Sequence, residues 1–232
     1  NAMPIRSGLL ALLLTTLPAA AGTGHILVGL DETSSFGSGG TVYSAPGTDT
    51  LLVMQTVDPA HPKFAAPLPM SNSVFGPPVN LQITPDGALG LVASSIRPVR
   101  QGGKWVAGPD DKVHVVDLAA MKFLGDVTVG GQPQGIVISH DGRLALVATR
   151  LGKGVSVLSI DGKTVQETQR VDLGDSAVAT AIMPDGKRGF AIRNGAGRVA
   201  ELTIDNGHVS YGKALEIPTG ANTYNLALTP DA

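Results

Sequence analysis

The chain has 232 residues, of which 43% are hydrophobic and 16% are charged, and it contains no cysteine. A formal net charge of −2 provides no basic field for a phosphate backbone, which argues against nucleic-acid binding. The lack of cysteine excludes disulfides, thiolate nucleophiles, Cys-ligated zinc and iron–sulfur clusters from this chain. The 30 Gly and 16 Pro residues are typical of many short strands joined by tight turns.

The N-terminal residues indicate export. Residues 1–2 precede Met3 and resemble the remnant of an expression tag. Arg6, an apolar run over 9–14 and small residues over 19–21 predict a signal peptide at 3–21. The alternative is a membrane anchor, but the run is shorter than the roughly 20 residues that cross a bilayer. We therefore expect a periplasmic or secreted protein with no membrane span after cleavage.

An apolar strand followed by an Asp-centred turn recurs along the chain. The four copies occupy 81–87, 136–142, 181–186 and 226–231. Their equivalent positions Ser139, Met183 and Thr229 are 44 and 46 residues apart. In such a turn Pro sets the first corner, Asp bonds back to the backbone and Gly accepts a positive φ. The repeated aspartates are therefore interpreted as structural caps and not as a set of catalytic carboxylates.

Each of the first three turns is followed by three further strand-like segments. In one repeat the four segments are 136–138, 144–148, 155–160 and 164–173, and the last is the most polar. Four strands in about 45 residues are typical of a propeller blade. The sequence therefore predicts an all-β fold, a β-propeller built from four-stranded antiparallel blades. Weak period-2 alternation agrees with burial of both blade faces.

The repeats also predict how the chain is divided. The expected units are a partial blade at 22–57, a Pro-rich connector at 58–78, blades at 79–130, 131–174 and 175–220, and the start of a further blade at 221–232. In the partial blade we expect strands at 25–30, 41–45 and 51–57, and in the last unit a first strand at 224–229. Together these units contain enough residues for about four blades. Because the final repeat stops inside its turn, we expect the complete wheel to contain more blades.

The segment 131–149, GQPQGIVISHDGRLALVAT, continues at 154–161 as GVSVLSID, and together they resemble the YVTN repeat. The resemblance covers 79–232 in three and a half copies and 25–57 more loosely. It implies a seven-bladed wheel. Families with such repeats include lactonase-like propellers similar to 6-phosphogluconolactonase, bacterial surface-layer proteins and the propeller subunit of quinoprotein amine dehydrogenases. His140 replaces the usual Pro, and Thr149 and Arg193 stand where the repeat commonly has Asn.

Ligands of propellers normally bind at one mouth of the central channel. The candidates in loops that enter first strands are Asn80, Gln134, Tyr224 and Asn225, and those at the ends of second strands are Arg150, Arg193 and Asn194. Two arginines near a mouth could clamp a carboxylate or phosphate. The alternative is that they are solvated or pair with neighbouring acidic residues.

An insertion at 95–112 supplies a second candidate surface. It carries Arg97 and Trp105, the single tryptophan of the chain. An exposed Trp between cations suits a partner protein or a carbohydrate. The alternative is that Trp105 covers the edge of its own blade.

The sequence leaves three functions open. The preferred one is a non-catalytic binding or scaffold protein whose partner is an unknown protein or a small anionic or sugar-like ligand. The resemblance implies two others, a lactonase-like hydrolase that opens a sugar-type lactone and the propeller subunit of a periplasmic quinoprotein dehydrogenase. No catalytic set of residues is recognisable, and the five histidines are scattered without metal-ligand spacing, so we expect neither metal nor cofactor in this chain.

Overall fold

The computed structural model describes residues 24–47, 49–56, 58, 60–73, 79–212 and 216–229. The predicted tag remnant and signal peptide lie outside these ranges. Within them every regular element is a strand, and the strands form four blade-like antiparallel sheets and one separate hairpin. The described ranges also include no helix that is long and apolar enough to cross a membrane.

The first sheet is an incomplete blade with the strand order β1-β4-β5. Its strands are β1 (His25–Leu30), β4 (Thr50–Gln55) and β5 (Lys63–Pro69). Between β1 and β4, the strands β2 (Ser34–Gly37) and β3 (Gly40–Tyr43) pair only with each other.

Two sequence expectations for this region are therefore wrong. The 58–78 segment is more than a connector, because β5 pairs with β4 and places Leu68 opposite Leu51. Its prolines are tolerated since β5 is an edge strand, where one side of the backbone needs no ladder bonds. The segment expected at 41–45 lies in the β2–β3 hairpin and not in the blade, because its partner is the adjacent Ser34–Gly37 strand.

Three complete blades follow, each with its strands in sequence order. The second blade consists of β6 (Leu81–Ile83), β7 (Leu89–Gln101), β8 (Lys104–Asp117) and β9 (Lys122–Thr128). The third consists of β10 (Pro133–Ile138), β11 (Leu144–Thr149), β12 (Gly154–Asp161) and β13 (Thr164–Asp172). The fourth consists of β14 (Ala177–Ile182), β15 (Arg188–Arg193), β16 (Arg198–Asp205), and an outer strand in two pieces, β17 (His208–Ser210) and β18 (Glu216–Pro218). Both outer pieces pair with β16.

The Asp-centred turns of these three blades have the same geometry. In each turn the glycine donates its N–H to the carbonyl of the residue three positions before it, at 2.8–2.9 Å. The turn glycines Gly87, Gly142 and Gly186 have φ values of 72°, 74° and 69°, which only glycine adopts without cost. The β10–β11 and β14–β15 pairs also share a register shift at the same position. The repeat read from the sequence is therefore a structural repeat.

Apolar layers between neighbouring blades form the core. One layer joins the third and fourth blades, a second joins the second and third, and a third joins the first and second. The inner strands approach most closely at Gly135, where an added Cβ would lie 2.9 Å from Ala179 Cα and 3.1 Å from Val79 Cγ2. The N–H of Ile136 in the third blade donates to the carbonyl of Val79, which precedes the first strand of the second blade, at 3.1 Å. First strands from three successive blades thus meet at one place.

The strand expected at 224–229 is absent from the described residues. Instead, Tyr224 and Leu226 pack against Val178 and Ile192 of the fourth blade. These apolar side chains occupy a position beside an inner strand, but no described strand lies next to the segment to complete its backbone hydrogen bonds.

Candidate functional site

Three polar residues that were expected at a channel mouth are buried in the protein. Two of them, Asn80 and Asn194, donate hydrogen bonds to backbone carbonyls, and the third is Gln134. Asn80 is 2% exposed, and its amide donates to the carbonyls of Asn72 at 3.1 Å and Ala93 at 2.9 Å. The amide of Asn194 donates to the Thr223 carbonyl at 3.0 Å, and Gln134 is also 2% exposed. Buried amides that satisfy backbone carbonyls fix loop positions. Asn80 and Asn194 are therefore engaged in holding loops of the protein itself.

The Arg193 guanidinium is already paired. It contacts the carboxylate of Glu216 and the hydroxyl of Tyr211, and Arg198 lies 3.8 Å from the same carboxylate. The Tyr211 hydroxyl and then Arg193 hold the pKa of Glu216 below its usual range, so this carboxylate is ionised at neutral pH. Its charge offsets the positive charge that an anion clamp would use.

The remaining mouth candidates are dispersed. Arg150 is half-buried just after β11 in the third blade. Tyr224 is half-buried against the fourth blade, whereas Asn225 is exposed and accepts the N–H of Leu226 at 2.9 Å. The expected two-arginine clamp stays a prediction, with Arg193 engaged by Glu216 in the described structure.

The 95–112 insertion is a continuous extension of the β7–β8 hairpin. Across its tip Arg100 pairs with Trp105, and the guanidinium carbon lies 5.4 Å from the centroid of the indole ring. Trp105 is half-buried, and the exposed Arg97 donates from Nε to the Pro109 carbonyl at 3.4 Å. Strand β3 of the separate β2–β3 hairpin contacts strand β8. Phe36 on that hairpin is 86% exposed.

A groove of about 1010 Å³ separates the third and fourth blades on the side of the Asp-centred turns. Its lining includes Arg143, His140, His208, Ser159, Thr168 and Asn206. Part of its wall is a two-way amide contact, in which Gln169 Nε2 donates to the Val209 carbonyl at 2.6 Å and Gln169 Oε1 accepts the Val209 N–H at 3.0 Å. This contact joins the two blades and fixes the position of the walls.

The acidic groups in the groove are engaged, but three basic ones are available. Asp141 accepts the Ser139 hydroxyl at 2.6 Å and the Arg143 N–H at 3.1 Å, and these bonds hold the pKa of Asp141 below its usual range. Within the described residues, the side chains of Arg143, His140 and His208 have no hydrogen-bond partner. The groove therefore offers unused donors to a ligand.

The sequence does not predict this groove. His140 and His208 are 68 positions apart, one in a turn and one beside a hairpin glycine, and each by itself is typical of a solvated residue. The one available signal was His140 in a turn position that holds Pro in the equivalent repeats. No cluster of three or more metal-ligating side chains occurs among residues the structure describes.

Structural comparison identifies the architecture. The periplasmic gluconolactonase PpgL of Pseudomonas aeruginosa superimposes with a TM-score of 0.59 and 19% identity, covering 85% of this chain and 60% of that one. The dihydro-heme d1 dehydrogenase NirN superimposes with a TM-score of 0.55 and 20% identity, covering 78% of this chain and 35% of that one.

The fold is a β-propeller. The chain spans less than two thirds of the length of either protein. No protein-family model matches the sequence, and no curated protein is similar to it in sequence. At about 20% sequence identity the structural similarity defines the fold and does not define the ligand.

Proposed function

We propose that this protein is an exported binding propeller that holds a small anionic, sugar-like ligand in the groove between its third and fourth blades. The observation that carries the proposal is that three basic side chains in one groove, Arg143, His140 and His208, have no hydrogen-bond partner among the described residues, although Arg143 also attracts the nearby Asp141 carboxylate. Arg143 supplies a planar fork of donors that matches a carboxylate or phosphate. The two imidazoles add donors on either side of the groove.

The rest of the lining favours a hydroxylated ligand. Ser159 and Thr168 contribute hydroxyl groups, and Asn206 contributes an amide. Such groups both donate and accept hydrogen bonds, as the hydroxyls of a sugar do. An acidic sugar would place its carboxylate on Arg143 and its hydroxyls on these side chains.

Removing the basic groups should weaken binding of a sugar acid. We expect gluconate to bind the wild-type protein. The double variant Arg143→Ala with His208→Ala should raise the Kd for gluconate at least about tenfold, because a hydrogen bond to a charged group contributes about 1.5–3 kcal/mol. Titration calorimetry measures the change. Arg170→Ala is the matched control, because Arg170 is paired with Glu167 at 2.9 Å outside the groove. Equal affinities of wild type and double variant, or no binding to wild type, would contradict the proposal.

Lactone hydrolysis is the second candidate. It is supported by the fold similarity to a periplasmic gluconolactonase, which also supports a periplasmic location for this chain. Opening of glucono-lactone by the full chain above the buffer rate would favour hydrolysis. A binding protein would bind gluconate without accelerating lactone opening. A quinoprotein dehydrogenase subunit is the third candidate, in which a partner would carry the redox group.

A further inference from the structure

A Ser–His–Asp arrangement crosses the boundary between the first and second blades. His114 Nδ1 lies 2.6 Å from Asp126 Oδ1, and His114 Nε2 lies 3.2 Å from Ser71 Oγ. His114 and Asp126 are direct cross-strand partners on β8 and β9. Ser71 lies in the segment that leaves β5. One blade thus supplies the acid and the base, and the other supplies the hydroxyl.

The imidazole is held in a defined orientation. The His114 side chain is 8% exposed, and the ring of Phe123 meets it edge-on with centroids 5.9 Å apart. When neutral His114 donates Nδ1–H to Asp126, its Nε2 lone pair is directed at Ser71. A base oriented by a carboxylate and within reach of a hydroxyl is the arrangement that activates a serine nucleophile.

A second carboxylate completes the chain of hydrogen bonds. Ser94 Oγ lies 3.1 Å from Ser71 Oγ and 2.8 Å from Asp110 Oδ2. The Ser94 hydroxyl is the donor in both contacts, so Ser71 Oγ accepts from Ser94 and the Ser71 proton is free to point at His114 Nε2. Ser94 therefore favours the hydrogen bond from Ser71 to His114.

We propose that Ser71 is the nucleophile of an acyl-transfer site for small uncharged carboxylic esters. Ser71 Oγ bonds to the ester carbonyl carbon while His114 takes its proton. The ester C–O bond then breaks, and the leaving alkoxide takes the proton from His114. Water then attacks the acyl carbon while His114 takes its proton. The bond between the acyl carbon and Ser71 Oγ breaks, His114 returns the proton to Ser71 Oγ, and the carboxylic acid is released.

The charges around the site favour a neutral substrate. Asp110 and Asp126 are two carboxylates of the relay, and both would repel an anionic ester. The nearby Lys112 amine is engaged by Asp111 at 2.8 Å and by Thr128 at 2.9 Å. This site is separate from the groove of the third and fourth blades, and its proposal does not depend on gluconate binding.

A second His–Asp pair provides a matched control. His61 Nδ1 lies 2.9 Å from Asp58 Oδ2, and this pair is exposed, with its histidine side chain 82% accessible. No serine is within hydrogen-bond distance of its other ring nitrogen in the described ranges. Activation of a hydroxyl is thus expected at His114 and not at His61.

Phenylmethylsulfonyl fluoride is the probe for the test. The intact protein is treated with it, the adduct is located by peptide mass spectrometry, and hydrolysis of p-nitrophenyl acetate is measured in parallel. In wild type we expect one sulfonyl adduct on Ser71, formed with loss of fluoride. Ser71→Ala should remove it, and His114→Ala should slow labelling and ester hydrolysis about 100-fold, the usual range for loss of a general base. His61→Ala should change neither.

Asp126→Asn keeps the proposal testable if His114→Ala does not fold, since the Asp126 side chain is 40% exposed. The side-chain amide that this substitution introduces can turn its NH2 group toward His114 Nδ1, and this group does not accept the Nδ1–H. We therefore expect labelling of Ser71 to be at least about tenfold slower, with an unchanged melting temperature. No adduct on Ser71, or equal labelling in wild type and Asp126→Asn, would overturn the proposal.

Discussion

Replacing Gly154 by Ala should destabilise the third blade strongly. Gly154 begins β12 opposite Asp172, and an added Cβ would lie 2.0 Å from the carbonyl oxygen of Val171. The obstacle is backbone, so β13 must move away and lose part of its pairing with β12. We expect a loss of about 3 kcal/mol in the free energy of unfolding, the upper part of the range for overpacking. In a chain of this size that lowers Tm by about 6–12 °C.

Gly39→Ala is the control for this change. Gly39 is exposed in the turn between β2 and β3, and nothing lies within 4 Å of its added Cβ. Its Tm should stay within about 1–2 °C of wild type, as expected for a surface change of at most about 0.5 kcal/mol. Equal melting curves for Gly154→Ala and Gly39→Ala would show that β12 and β13 do not pair in the described register.

Replacing Leu146 by Ala should open a cavity between two blades. Leu146 is 0% exposed in the apolar layer that joins the third and fourth blades. Its Cδ1 abuts β15, since a Cβ on Gly189 would lie 3.0 Å from it. The Gly189 backbone on one side of the cavity has no side chain that could fill it, so we expect a loss of about 3–5 kcal/mol. Urea unfolding measures it.

Leu124→Ala makes the same chemical change at the surface. Leu124 lies on β9 and is 40% exposed, so its truncation should cost within about 0.5 kcal/mol. If Leu146→Ala were as mild as Leu124→Ala, the side chain could not be enclosed between packed blades.

The turns and blade strands could be predicted because their determinants are local. A Pro, Asp and Gly in succession define the corner, and the apolar runs on either side define the strands, as at Gly186 between β14 and β15. The fold was therefore readable from one repeat. β5 was missed because Pro67 and Pro69 suggest a loop, and only its position at the edge of a sheet makes them acceptable.

The candidate sites were harder to predict because their members come from different blades. Ser71 and His114 are 43 residues apart, and only the packing of two blades brings their side chains together. Arg193 was a candidate for a ligand clamp. Its pairing with Glu216 depends on the register of β18 beside β16, which the sequence pattern does not define. Amide residues such as Asn80 appeared equally available. Their backbone acceptors become visible only in three dimensions.

Nuclear Overhauser contacts from Gly135 would test most directly whether the blades are arranged around an axis. The propeller arrangement predicts that one Hα of Gly135 shows contacts to both a Val79 methyl group and the Hα of Ala179, because these atoms lie within 3.1 Å of the position of a Cβ on Gly135. Val79, Gly135 and Ala179 belong to the first-strand segments of three successive blades. Absence of both contacts in the folded protein would contradict the radial arrangement of the blades.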